Sequence, residues 1–371
     1  MASENFFLTL KAIPQPIYHL ILKPMKTILI FLATVLASFS ITSCKCETKT
    51  EPVQKTDISE FLGQWTIDIQ GGSVGWLEVR QEDNYLDGDI LWGGGSVVPV
   101  SNIFLENGHV LVVQRSNNVV RKADENKIPL KTQVVTEWLE IVKNDEKING
   151  ILLSPKKDGT GVDSSTFSGT KLPQPPPAPD LANLKFGTPV TLFNGKDLTG
   201  WRLTNEKQTN GFSVVDGILT NDPAQVEGQP HISYGNLRTD NVFEDFNLKL
   251  EVNVPVDGNS GIYLRGMYEI QVSDSYKKGL DPHNMGGVYS RICPVVSAEK
   301  PAGEWQSFDI TLCDRHITVI LNGIKIIDNK PVYGPTGGAL TSDVFAPGPI
   351  YLQGDHRAVQ YRNIVLTPIV K

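Results

Sequence analysis

Several things are scarce in this chain, and each shortage excludes something. Among 371 residues there are four cysteines and six histidines. No CxxC pair or Cys/His spacing of a structural zinc site occurs. The body contains no run of Lys or Arg, and the formal net charge is −7. Both facts argue against nucleic acid as a partner, because such partners are held first by basic patches. Stretches of helical period are scarce too. Glycine (33) and proline (24) are plentiful, so the body reads as β-rich. The longest apolar run, from Thr27 to Ile41, is short for a membrane span.

That apolar run follows Met25-Lys26 and ends in small residues before Cys44, the pattern of a secretory signal. Ile41-Thr-Ser-Cys44 resembles a bacterial lipobox. The resemblance implies cleavage before Cys44, lipid on its thiol, and anchoring of an exported protein to the cell envelope, on the outer membrane. Met25 is the expected start of the leader. The alternative is an ordinary cleaved signal with a spare cysteine. Residues 45–57 are polar and aperiodic and read as a tether. Cys293 and Cys313 remain as candidates for a disulfide in an oxidising compartment.

Residues 58–171 carry short alternating segments punctuated by Gly71-Gly72, Gly93-Gly-Gly95, Asn107-Gly108 and Asn149-Gly150. These predict a small all-β accessory domain, a barrel or sandwich. Its Gly63-x-Trp65 opening weakly resembles a lipocalin-type barrel. Residues 172–185 begin with a dense proline cluster and read as an extended linker. Residues 186–371 supply about ten further strands, with Asp216-Gly217 and Asn322-Gly323 as hairpin turns, and predict a two-sheet sandwich of jelly-roll type.

The most informative stretch is 259–274. Ile262 and Leu264, then Tyr268, Ile270 and Val272, alternate with Tyr263 and Arg265, then Glu269, Gln271 and Ser273. A period of two puts the first set on a core face and the second on the other. Read alone, the polar set is a solvated sheet face. Arg265 and Glu269 would then form a structural ion pair, and His356 would cap a turn.

Six blocks stand in order in the second half: 192–201, 259–265, 268–274, 303–306, 334–338 and 352–364. Together they resemble the 3-keto-disaccharide hydrolase family over residues 186–370. The resemblance implies a concanavalin-like sandwich acting on glycosides oxidised at C3. It implies nothing for residues 45–171. One departure is Arg357, where the family commonly has glycine after the Asp-His pair.

A 3-keto sugar has an acidified C2 proton. A base removes it, the enolate is stabilised, an acid protonates the departing C1 oxygen, and water then adds. Glu269 is the expected base, Arg265 the enolate stabiliser, and His356 the acid. Gln271 and Asn259 are expected to bind hydroxyls; Trp201, Tyr263, Tyr276 and Trp305 are expected to meet the sugar ring. A divalent metal on Glu269, Asp274 and His356 is the alternative stabiliser. His231 and His283 read as solvated loop residues. The competing function is a non-catalytic carbohydrate-binding lipoprotein, which fold alone does not separate from an enzyme.

Overall fold

The computed structural model describes residues 57–370. The expected leader, Cys44, Cys46 and the tether up to residue 56 lie outside the described residues. Within them the protein is all-β, and its only helical turns are the 3-10 turns Ile58–Glu60 and Leu181–Asn183.

The N-terminal part is one antiparallel sheet. Its strands are β1 (Gly63–Ile69), β2 (Ser73–Gln81), β3 (Leu86–Trp92), β4 (Val98–Pro99), β5 (Asn102–Glu106), β6 (Val110–Ala123), β7 (Pro129–Asn144), β8 (Lys147–Pro155) and β9 (Val162–Leu172). They run in the order β4-β3-β2-β1-β9-β8-β7-β6-β5. The sheet curls until its ends meet; a Cβ on Gly88 of β3 would lie 3.0 Å from Ile103 of β5. Trp65, Ile67, Leu77, Ile90, Val113, Leu139 and Ile141 fill the inside. The β6–β7 hairpin is longer than the apolar periodicity predicts. Its distal half is exposed, so nothing there imposes an apolar period.

The C-terminal part is a sandwich of two sheets. Its strands are β10 (Lys185–Phe186), β11 (Val190–Thr191), β12 (Trp201–Leu203), β13 (Phe212–Val215), β14 (Ile218–Asn221), β15 (Leu237–Thr239), β16 (Phe246–Asn253), β17 (Asn259–Leu264), β18 (Tyr268–Ser273), β19 (Trp305–Cys313), β20 (His316–Leu321), β21 (Ile324–Pro331), β22 (Tyr351–Leu352) and β23 (Val359–Val370). The larger sheet runs β13-β14-β23-β16-β19-β20-β21, with β10 and β11 also on β23. The smaller runs β12-β15-β22-β17-β18. Alternating Leu248, Leu250 and Val252 of β16 meet Ile262, Leu264, Ile270 and Val272 of the hairpin in one core. This is the jelly-roll-like architecture the strand pattern predicts. Asp216-Gly217 and Asn322-Gly323 both turn with positive φ at each residue, as two-residue hairpins require.

The two parts are packed together. The Arg291 guanidinium lies 4.3 Å from the Trp76 ring centre, and Gly334 lies so close that a Cβ there would sit 2.4 Å from the indole. The proline segment is tied to the sandwich as well: Arg315 donates to the Pro173 carbonyl and Asn329 to that of Pro179. Cys293 is exposed and Cys313 buried, with no disulfide between them.

Candidate active site

The β17–β18 hairpin sets the floor of the site. Tyr263 stands opposite Glu269, and Gly261 opposite Gln271. Period two therefore puts Asn259, Tyr263, Glu269 and Gln271 on the outer face of the smaller sheet, away from the core. Tyr351 of β22 pairs with Tyr263 from the other side, and the two rings stack at 3.8 Å. Gly261 is needed here for space. A Cβ on it would lie 2.3 Å from a Glu269 carboxylate oxygen, so the carboxyl lies over the neighbouring strand.

Loops build the walls. The block around residues 334–338 satisfies the floor: Thr336 Oγ1 accepts from the Glu269 amide, the Gly337 carbonyl from the Tyr263 hydroxyl at 2.7 Å, and the Gly338 carbonyl from Tyr351 at 2.8 Å. The loop after β18 runs back along that strand. Gln271 donates from its amide to Gly287, and Tyr289 donates to the Glu269 carbonyl. This brings His283 and Tyr289 to the site, while the loop after β22 brings Asp355 and His356. The resulting cavity is about 320 Å³, near the lower end of ligand-pocket sizes.

Glu269 is 4% exposed. Burial pushes its carboxyl up to about 7, against the opposing hydrogen bond from Tyr263 and the charge of His356. Tyr263 donates to its Oε2 at 2.8 Å. The tyrosine has one proton and two acceptors in reach. With Glu269 ionised, that proton points to the carboxylate. With Glu269 protonated, the carboxylic acid can donate to the tyrosine oxygen, and the tyrosine proton turns to Gly337. Both protonation states are thus satisfied, which suits a group that gives and takes a proton near neutrality.

His356 is partly exposed, and its Nδ1 is 2.8 Å from Asp355. That hydrogen bond holds the imidazole above its usual range, against partial burial, with further help from the charges of Asp355 and Glu269. Burial would raise the Asp355 carboxyl, but its hydrogen bond and charge interaction with His356 bring it below the ordinary value. The pocket thus joins a carboxyl near 7 to an imidazolium held by its own carboxylate. Asn259 Oδ1 is buried without a hydrogen-bond partner, leaving one acceptor for a ligand hydroxyl.

Of the residues expected from the sequence, Glu269, His356, Gln271, Asn259 and Tyr263 line this cavity. The others do not. The alternation ends at Leu264, and Arg265 sits in the turn with a φ of 55°. Its guanidinium donates to the carbonyls of Val344 and Ala346, so it neither pairs with Glu269 nor faces the pocket. Asp274 accepts from the Asp257 amide and holds the preceding turn. The Trp201 indole donates to Leu192 and packs into the core. Trp305, on the larger sheet, carries the Arg362 guanidinium over its ring at 3.9 Å. Tyr276 is exposed beside Lys277. His231 is exposed outside the pocket.

The expected metal set does not converge, because Asp274 lies outside the cavity holding Glu269 and His356. Among the described residues, the side chains whose ligand atoms do converge are Asp245, Cys313 and Asp314. None of the three lines this pocket. No step is therefore routed through a metal.

Sequence reasoning missed His283, Tyr289, Tyr351 and Gly94-Gly95. His283 lies on a loop and is partly exposed, but it also lines the cavity. Asp281 accepts both its backbone amide and its ring Nδ1, at 2.8 and 2.6 Å. The Asp-x-His spacing is the visible signal for that local turn. A second cavity, about 820 Å³, lies between Trp76, Glu78, Asp89 and Arg291 of the two parts. It is larger, but its carboxylates Glu78 and Asp89 are both taken up by the Arg80 guanidinium, so the chemistry points to the smaller one.

Residues 188–367 match the model of the 3-keto-α-glucoside-1,2-lyase-like domain. Two crystal structures of candidate glycosyl hydrolases from Parabacteroides distasonis are similar to part of this chain. One is 29% identical, with a TM-score of 0.40, covering 53% of this chain and 93% of its own. The other is 22% identical, with a TM-score of 0.39, covering 48% and 92%. A search of curated proteins found no match. The match to the 3-keto-α-glucoside-1,2-lyase-like domain over residues 188–367 supports a glycoside-processing role.

Proposed function

We propose that the protein cleaves 3-keto-glycosides or 3-keto-disaccharides by elimination followed by hydration. The observation that carries this reading is Glu269, a buried carboxyl raised to about 7 in a polar pocket shared with His356. Ionised Glu269 removes the C2 proton, and the electron pair forms the enolate of the C3 ketone. The enolate pair returns as the C1–C2 double bond while the C1–oxygen bond breaks. His356 gives its proton to the departing oxygen. Neutral His356 takes a proton from water as the hydroxide adds to C1, and C2 regains a proton from Glu269. The sum is hydrolysis, with both groups restored. Gln271 and Asn259 bind ring hydroxyls, and Arg265, outside the pocket, takes no part in stabilising the enolate.

A binding-only role fits less well. Tyr263 and Tyr351 stack on each other and are about 1% exposed, so they offer no open aromatic plate to a sugar. Export and lipid attachment through Cys44 complete the reading. They rest on the leader and lipobox resemblance, and Cys44→Ala should release the protein from the membrane fraction.

The test is incubation of purified protein with a 3-keto-disaccharide and with its unoxidised parent, with and without chelator. Release of 3-keto-hexose from the oxidised sugar alone, in either condition, supports the reading. Binding without turnover sinks it. Loss of turnover with chelator restores a metal to the mechanism.

A further inference from the structure

We infer that the N-terminal β-domain forms the leaving-group side of this pocket: Gly94 and Gly95 supply its wall, and Ser96 is a positioning residue for His283 and Tyr289. The inference rests on the function proposed above and assigns a role to the half of the chain outside the family match.

The loop between β3 and β4 reaches into the sandwich. Gly94 and Gly95 line the cavity alongside Glu269, Tyr263 and His356. The contact is close: a Cβ on Gly337 would lie 2.2 Å from the Gly95 carbonyl oxygen. The Gly338 amide donates to Gly93, and the Val97 amide donates to Ser290 Oγ at 2.9 Å. Ser96 is fixed between these ties. Its Oγ is 3.0 Å from His283 Nε2 and 3.4 Å from the Tyr289 hydroxyl. Asp281 accepts at Nδ1, so that nitrogen carries the proton, and in the neutral ring Nε2 accepts from Ser96. His283 in turn meets Tyr289 edge to face at 4.8 Å. Asp281, His283 and Tyr289 come from the sandwich; the serine that closes the set comes from the other domain.

The position of this wall assigns its substrate. Glu269 stands on the sheet and His356 on the loop after β22, so the 3-keto ring, bearing the C2 proton and C1 oxygen, sits over them. A cavity of about 320 Å³ is small for a whole disaccharide. The second sugar therefore extends to the remaining wall, which is Gly94-Gly95 with His283 and Tyr289.

The test uses the full-length protein and two substrates, a 3-keto-disaccharide and the methyl 3-keto-glycoside with the same reacting ring. Gly94 is not in the left-handed region, and a Cβ there meets nothing within 4 Å, so the backbone accepts a side chain and Gly94→Phe adds bulk to the wall. It should lower kcat/KM for the disaccharide, relative to that for the methyl glycoside, at least about tenfold and mainly through KM. Ser96→Ala should lower the same selectivity ratio. It should also move the imidazole nitrogen shifts of His283 in the sugar-free protein, while Gly94→Phe should not. If wild type cleaves both substrates and both variants keep its selectivity ratio, the inference is overturned and the proposed function stands. Unmoved His283 shifts in Ser96→Ala overturn the positioning role. A wild type that cleaves neither substrate overturns the proposed function and the inference with it.

Discussion

Arg265 and Glu269 lie four residues apart on one hairpin, carry opposite charges and are buried to the same degree, 3% and 4% exposed. They do different things. Arg265 spends its donors on the carbonyls of Val344 and Ala346. A cation with its hydrogen bonds met by a neighbouring loop is a staple. The Glu269 carboxyl is held by one tyrosine proton, shared with Gly337, and opens on a cavity. Burial alone does not mark a functional charge. What marks it is burial that is incompletely compensated and faces a space a ligand can fill.

The largest expected effect separates the two by activity. Glu269→Gln keeps the shape and removes the base, so kcat on a 3-keto-disaccharide should fall by about 10³-fold, within the range for losing a general base. Arg265→Met should leave kcat of the folded protein within about threefold of wild type, because the side chain lies outside the pocket. Its loss should appear in denaturant melts instead. Two carbonyls stripped of their donor should cost roughly 3 kcal/mol of stability. Loss of turnover in folded Arg265→Met would return the arginine to the chemistry.

The two residues also show how far the sequence was legible. Period two correctly put Tyr263, Glu269 and Gln271 on one face, because a strand offers only two faces. It failed for Arg265 by one position. The turn begins there, and Gly266, also at positive φ, was the available warning. Alternation names a face of a strand but not the sheet that owns it, which is why Trp305 was misassigned to the site. His283 and Tyr289 arrive on an aperiodic loop, where nothing local predicts their destination. The triple glycine before Ser96 read as a turn, and its second use as a pocket wall is visible only in the folded chain. The core strands were legible, since each sheet needs one apolar face to bury, but the exposed half of the β6–β7 hairpin was not.

A third expectation sharpens the contrast by stability. The folded Glu269 carboxyl, at about 7, lies above the 4.5 of an ordinary glutamate. Between those values the folded state binds the extra proton, so stability is full below about 4.5 and falls as pH rises through 7. Glu269→Gln removes that penalty. At pH 8 the inactive variant should be more stable than wild type by up to about 3 kcal/mol, and the gain should vanish near pH 4. Equal melts at both pH values would mean that the carboxylate is better solvated than its burial indicates.

The smallest effect concerns the group that distinguishes the carboxyl from the guanidinium, its single hydroxyl partner. The Tyr263 hydrogen bond favours the ionised form and holds the Glu269 carboxyl lower than burial alone would. Tyr263→Phe removes it while keeping the ring stacked on Tyr351. The pH profile of kcat rises as Glu269 ionises and falls as His356, itself raised by Asp355, loses its proton. The two groups interact, so each limb reports the pair. In Tyr263→Phe the acidic limb should move to higher pH by roughly one unit, the scale of one such hydrogen bond. The alkaline limb should move much less, because His356 is held by Asp355 and not by the tyrosine. A uniform loss of rate with no change of profile would make Tyr263 a packing residue like Tyr351. A shift of the acidic limb alone would show that the base is tuned within the hairpin itself.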